Sequence, residues 1–121
     1  MDNTNPLDYT TIAETGEYIR TSTRLLSGEE RGDVIRYLAA HPKAGDLIEG
    51  TGGVRKLRWG RGNSGKSGGV RVIYYFHSDV IPLYLLTMFG KGERANLSKA
   101  ERNELRELVK LIADAWKSKL Q

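Results

Sequence analysis

The sequence predicts an α+β domain in the order βααβββα: a small antiparallel sheet packed by two N-terminal helices and a C-terminal helix. Three observations carry this expectation. Two strand-like runs, Val54-Arg-Lys-Leu-Arg-Trp59 and Gly69-Val-Arg-Val-Ile-Tyr-Tyr-Phe76, flank a glycine-rich loop, which is the pattern of a hairpin. Two serine–glutamate capping boxes, Ser27 to Glu30 and Ser98 to Glu101, each open a stretch with helical apolar spacing. The 121 residues show no internal repeat and no linker, so a single domain over 1–121 with a modest core is expected.

The first strand falls on Asp8-Tyr-Thr-Thr-Ile-Ala13, rich in Thr and Tyr. Tyr18, Ile19, Leu25 and Leu26 follow with helical spacing. The helix capped by Ser27 should run to about Ala40 and bury Val34, Ile35 and Leu38. His41-Pro42 stops it, because a residue before proline avoids the helical region. Asp46 to Gly53 is a turn-rich approach to the two central strands. Ser78-Asp79 then turns the chain into a strand over Ile81–Phe89, with Pro82 tolerable only near its start. Gly90 to Leu97 reads as a loop. The last helix runs from Ser98 to about Leu120, with an apolar stripe of Leu105, Leu108, Ile112 and Ala115 that Val109 and Trp116 widen.

Hydrophobic content of 39% and charged content of 28% are ordinary for a soluble protein. The absence of cysteine excludes disulfides and thiolate metal sites and fits a reducing compartment. No apolar run is long enough for a membrane helix, and Met1-Asp-Asn-Thr-Asn-Pro6 lacks the features of a signal peptide. A cytoplasmic protein with no membrane partner is expected.

The net charge of +4 is unevenly placed. Residues 1–49 carry nine acids against five bases, residues 50–78 carry six bases and no acid, and residues 79–121 carry six acids against eight bases. The central bases are Arg55, Lys56, Arg58, Arg61, Lys66 and Arg71. Strand alternation puts Lys56 and Arg58 on one face if Leu57 packs inward. A solvated outer face usually sets bases beside acids as cross-strand pairs, and this window has no acid to offer. A site for phosphate or RNA is therefore preferred over a plain solvated face. On the second strand Tyr75 shares the face of Arg71, where its ring would either stack a base or cover the sheet.

Gly60-Arg-Gly-Asn-Ser-Gly-Lys-Ser67 matches the nucleotide-binding phosphate-loop pattern letter for letter. That motif works only where the loop opens a helix, whose N–H groups hold the phosphates. Here strand-like residues follow, so no nucleotide cofactor is expected. The stretch reads as a hairpin loop whose Arg61 and Lys66 reach a phosphate backbone. His41 and His77, the only histidines, have no spaced metal partner, so no metal is expected.

Gly53-Val-Arg-Lys-Leu-Arg-Trp59, the glycine- and lysine-bearing loop, Gly69-Val-Arg-Val-Ile-Tyr-Tyr75, Leu83-Tyr-Leu-Leu-Thr-Met-Phe-Gly-Lys91 and Asn96-Leu-Ser-Lys-Ala-Glu101 occur in that order. Together they resemble the RelE/HigB-type toxins of bacterial type II toxin–antitoxin systems, with the closest likeness to the HigB branch. The likeness is strong over residues 45–108 and looser over the N-terminal helices. It implies a RelE-like, microbial-RNase-like fold and a ribosome-dependent mRNA endonuclease that acts in the ribosomal A site without metal. The implied reaction is attack by a ribose 2′-OH on the adjacent phosphorus, leaving a 2′,3′-cyclic phosphate and a 5′-OH. The implied partner, besides ribosome and mRNA, is a cognate helix-turn-helix antitoxin.

By the same resemblance, Arg71 would hold the scissile phosphate, and one of Lys56 and Arg58 would orient or deprotonate the 2′-OH. Lys91 would stabilise the leaving group. Arg55, Arg61, Lys66, Tyr75 and Arg94 are the expected RNA or ribosome contacts. Some relatives place a tyrosine in the C-terminal segment of the site; residues 98–121 contain none, which leaves the general acid and base unassigned. Two other functions remain open on this fold: a ParE-like inhibitor of DNA gyrase, and a non-enzymatic nucleic-acid-binding module.

Overall fold

The computed structural model describes residues 9–60 and 69–120, which form eight elements. They are β1 (Ile12–Glu14), α1 (Gly16–Leu25), α2 (Gly28–Ala40), β2 (Asp46–Leu47), β3 (Val54–Trp59), β4 (Val70–Tyr75), β5 (Leu83–Gly90) and α3 (Lys99–Lys119). The α+β class and the order of the expected elements hold, with β2 as an added two-residue strand. One sheet takes the order β1-β5-β4-β3-β2. It is mixed rather than wholly antiparallel, because β1 runs parallel to β5 while the other pairs are antiparallel.

Both capping boxes form. Ser27 Oγ accepts from Glu30 N–H at 3.1 Å while Glu30 accepts from Ser27 N–H at 3.0 Å. Ser98 and Glu101 make the same reciprocal pair at 3.1 and 2.8 Å. Each satisfies helix-end donors that would otherwise face only water, worth about 1 kcal/mol. At α1 the cap is Thr15, whose Oγ1 accepts from Tyr18 N–H at 3.1 Å and donates to the carbonyl of Leu85 at 3.0 Å. Thr21 Oγ1 takes the N–H of Met88 at 3.1 Å, so α1 side chains satisfy the stretch of β5 that β1 is too short to reach.

The sheet buries both faces. On one, Leu57, Val70, Val72, Tyr74, Leu83, Leu85 and Met88 pack against Tyr18 and Leu26 from the α1 region and Val34 and Leu38 of α2. On the other, Val54, Ile73, Tyr75, Leu86 and Phe89 meet Leu97 and Val109. A bulge in β5 makes this two-sided pattern work. Ile73 pairs with Thr87 and Tyr74 with Leu85, leaving Leu86 as the extra residue. Leu85 and Met88 can therefore share a face although they lie three apart.

Several expectations shift. The first strand lies at Ile12–Glu14 rather than Asp8–Ala13, with Asp8 outside the described residues. Ile19 is 45% exposed, because α1 presents only the narrow stripe of Tyr18, Thr21 and Ser22 to β5. In α3 the inward residues are Leu105, Val109, Ile112 and Trp116, while Leu108 and Leu111 are 38% and 68% exposed. Trp116 fixes that rotation, since its Nε1–H donates to Tyr84 Oη at 2.8 Å. Ala115 is likewise exposed.

Candidate functional site

Alternation along β3 places Val54, Lys56 and Arg58 on the α3 face and Arg55, Leu57 and Trp59 on the other. On β4 the α3 face receives Arg71, Ile73 and Tyr75. Register then sets the site. Arg58 is the Cα partner of Arg71, and Arg71 is in turn the partner of Phe89 on β5. One row across three strands thus reads Arg58–Arg71–Phe89, with Lys56 beside it opposite Ile73. Side chains in such positions have Cβ atoms about 5 Å apart directly and about 7–8 Å on the diagonal.

The loop after β5 closes over this row. Arg94 stacks on Phe89, its Cζ 4.6 Å from the ring centroid, and Arg94 Nη1–H donates to Glu101. Glu101 also accepts the cap N–H of Ser98, so one carboxylate closes α3 and anchors Arg94. These two partners, Arg94 first, hold the Glu101 pKa below its ordinary value. Lys56 Nζ–H donates to Asn96 Oδ1 at 3.0 Å. Lys91 is exposed at the strand end, and its backbone N–H donates to the carbonyl of Gly69 at 3.0 Å. Gly69 is a position only glycine suits, since a Cβ there would sit 2.9 Å from the carbonyl oxygen of Trp59.

Arg71 is 9% exposed and has no carboxylate in contact among the described residues. Desolvation first, and the charge of Arg58 second, push its pKa down from the usual arginine value. The guanidinium nevertheless stays charged, because arginine does not deprotonate in proteins. A partly desolvated cation beside a second cation, with no built-in anion, is an arrangement that an incoming phosphate would stabilise.

The candidate residues divide clearly. Lys56, Arg58, Arg71 and Arg94 converge on one end of the α3 face, and Lys91 follows β5 at the adjoining strand end. Arg55 points away from them and donates to the carbonyls of Lys43 at 3.2 Å and Gly45 at 2.7 Å. Tyr75 shares the face of Arg71 as expected but is only 2% exposed, packed against Gly53 and the α3-side core. Its ring covers the sheet and has no free face to stack a base, which corrects the base-stacking alternative. Arg61 and Lys66 lie outside the described residues, as does the phosphate-loop stretch beyond Gly60. The residues after that stretch form β4 rather than a helix, so the letter match lacks the helix N-terminus its chemistry uses.

Phe89, Asn96 and Glu101 entered the site unannounced by sequence pattern. Phe89 needs the register across the bulge, and Asn96 sits on a loop with no periodicity. Glu101 was readable as a cap but not as the anchor of Arg94. Among the described residues no group of three or more His, Asp or Glu could hold a metal, and no helix is long and apolar enough to cross a membrane. A cavity of about 590 Å³ lies elsewhere, between Thr15 and Glu17, β5 and α3. Of the clustered cations only Arg94 lines it, together with its partner Glu101, and Glu17, Glu101 and Glu104 make it unsuited to a polyanion. A family model described as "RelE toxin of RelE / RelB toxin-antitoxin system" matches residues 39–121, a range that contains every cation of the cluster.

Proposed function

The chain belongs to the RelE toxin family, whose members act within toxin–antitoxin systems and have an antitoxin partner, and from that premise we propose that it is a ribosome-dependent, metal-independent mRNA endonuclease of the HigB type. The observation that carries this reading is the row of Arg58 and Arg71 with Lys56 beside it; Asp46 of β2 is the register partner of Lys56, yet none of the three bases is in an ion pair among the described residues.

The chemistry follows from charge. The 2′-oxygen of a codon nucleotide attacks the adjacent phosphorus while the P–O5′ bond breaks, so negative charge accumulates on the phosphoryl oxygens. Arg71, fixed on the central strand, holds those oxygens, and Arg58 adds the second fork of donors. Preorganised donors of this kind contribute most where charge develops in the transition state. Lys56, held by Asn96, is the base we assign to orienting the 2′-OH, whose proton is lost as the P–O bond forms while the departing 5′-oxygen gains one. Lys91, at the rim, meets the departing 5′-oxygen. The products are a 2′,3′-cyclic phosphate and a 5′-OH, and the antitoxin is a helix-turn-helix protein.

Primer extension on a defined mRNA, with purified protein and with or without translating ribosomes, tests the proposal. Cuts confined to the translated sample, mapping inside codons and ending in a 2′,3′-cyclic phosphate, are expected. Intact mRNA in both samples from a folded protein that still arrests growth would transfer the reading to gyrase inhibition.

A further inference from the structure

Opposite the cation cluster, at the same end of the sheet, lies an aromatic group that the proposed chemistry does not use. Trp59 is the next residue after Arg58 but faces the other side, partly buried against the α1/α2-side core. Tyr37 of α2 meets it edge-on at 5.6 Å between centroids and leaves 40% of its own surface exposed. His41 lies tilted against Tyr37 at 4.9 Å. Tyr37, His41, Pro42, Lys43 and Ala44 line an open hollow of about 450 Å³. No acid lines it, and Lys43 is exposed at its rim. Arg55 braces that rim through its two bonds to the carbonyls of Lys43 and Gly45.

We infer that this hollow is a stacking platform for an unpaired base of single-stranded RNA, a second subsite of the same proposed RNA-binding function on which the inference rests. An exposed ring next to cations, with no acid in the lining, suits a base carried on a phosphodiester chain. The route between the two sites is short. Among the described residues β2 pairs only with Arg55 and Lys56, so no strand lies beside Leu57–Trp59. An RNA strand crossing that edge keeps a phosphate on Arg58 and Arg71 and lays a neighbouring base against Tyr37. Arg55 then supports RNA binding indirectly, by positioning Lys43.

The test uses the full chain and a labelled, uncleavable 2′-O-methyl oligonucleotide, followed by fluorescence anisotropy at low salt. A matched series carries one abasic position each. Tyr37→Ala should weaken binding roughly tenfold, a typical loss for one stacked base, while Tyr37→Phe should not. For one abasic oligonucleotide in the series, wild type and Tyr37→Ala should bind alike. Unchanged circular dichroism and melting temperature exclude a fold defect in the exposed-site variant.

Wild-type affinity in Tyr37→Ala, alongside weakened binding in Arg71→Ala, overturns the platform and leaves the phosphate site standing. An equal Tyr37→Ala loss on every oligonucleotide, abasic ones included, overturns stacking. Absence of binding by the wild-type chain overturns the platform as well, and the translation assay then decides the endonuclease reading alone.

Discussion

Arg58 and Arg71 are directly paired residues of β3 and β4, two guanidinium groups side by side on one face of the sheet with no carboxylate bonded to either among the described residues. Like charges directly opposite each other destabilise a sheet, and burial of Arg71 adds to the cost. The fold tolerates the pair without using it. That separation of stability from chemistry can be measured.

Arg71→Met keeps most of the aliphatic stem and removes the charge. The folded state disfavours that charge, so the melting temperature should stay level or rise. Cleavage in the ribosome assay should fall roughly 10²–10³-fold, the usual loss on removing one preorganised donor. A large drop in melting temperature would show that Arg71 supports the fold instead.

Tyr74 gives the opposite case, a polar group the fold depends on. Its hydroxyl accepts from Gly45 N–H and donates to the carbonyl of Pro42, each at 2.8 Å, pinning the turn after α2 to the sheet. Tyr74→Phe leaves the buried Gly45 N–H without its partner, and a loss of about 1–3 kcal/mol is expected in denaturant unfolding. Lys56, Arg58 and Arg71 take no part in that turn, so cleavage below the melting transition should survive.

These two tyrosines of β4 also mark what the sequence can tell. Alternation puts Tyr75 on the face of Arg71, as found, and its neighbour Tyr74 on the opposite face, where it is buried in the core. Alternation says nothing about depth, however, and α3 with Gly53 buries Tyr75. Capping chemistry is local, so the starts of α2 and α3 were legible to the residue. The facing of α3 was not, because it depends on Trp116 reaching Tyr84, 32 residues away. The cation row was half legible: Lys56 and Arg58 share a face by alternation, whereas Arg71 joins them only through the β3–β4 register, Phe89 needs the Leu86 bulge and Asn96 needs the path of a loop.

Glu101 carries a pH prediction. Its pKa is lowered by Arg94 and by the Ser98 N–H, so its ionised form favours the folded state. A depressed carboxylate contributes stability above its unfolded value of 4.5, lost as pH falls through the folded one. Glu101→Gln keeps an acceptor for the cap but loses the ion pair. The variant should melt below wild type at pH 7, and the gap should close progressively below about pH 4.5. A gap that is constant with pH would mean that the ion pair contributes nothing. Comparing the two chains also cancels the similar response of Glu17, which is lowered chiefly by Arg20.

Asn96 offers the sharpest test of why the central window lacks acids. Its Oδ1 accepts from Lys56 Nζ–H at 3.0 Å, which positions the ammonium without neutralising it. Asn96→Asp preserves that acceptor and its shape but supplies a counter-charge where the window has none. Asn96→Ala removes the acceptor and leaves Lys56 free and charged. If the cluster's net charge drives RNA binding, the aspartate should weaken oligonucleotide affinity more than the alanine. It should also lower the dependence of log affinity on log salt by about 0.7–1, the share of one phosphate contact. If holding Lys56 in place matters more than its charge, the order reverses, because the alanine then loses the anchor that the aspartate retains.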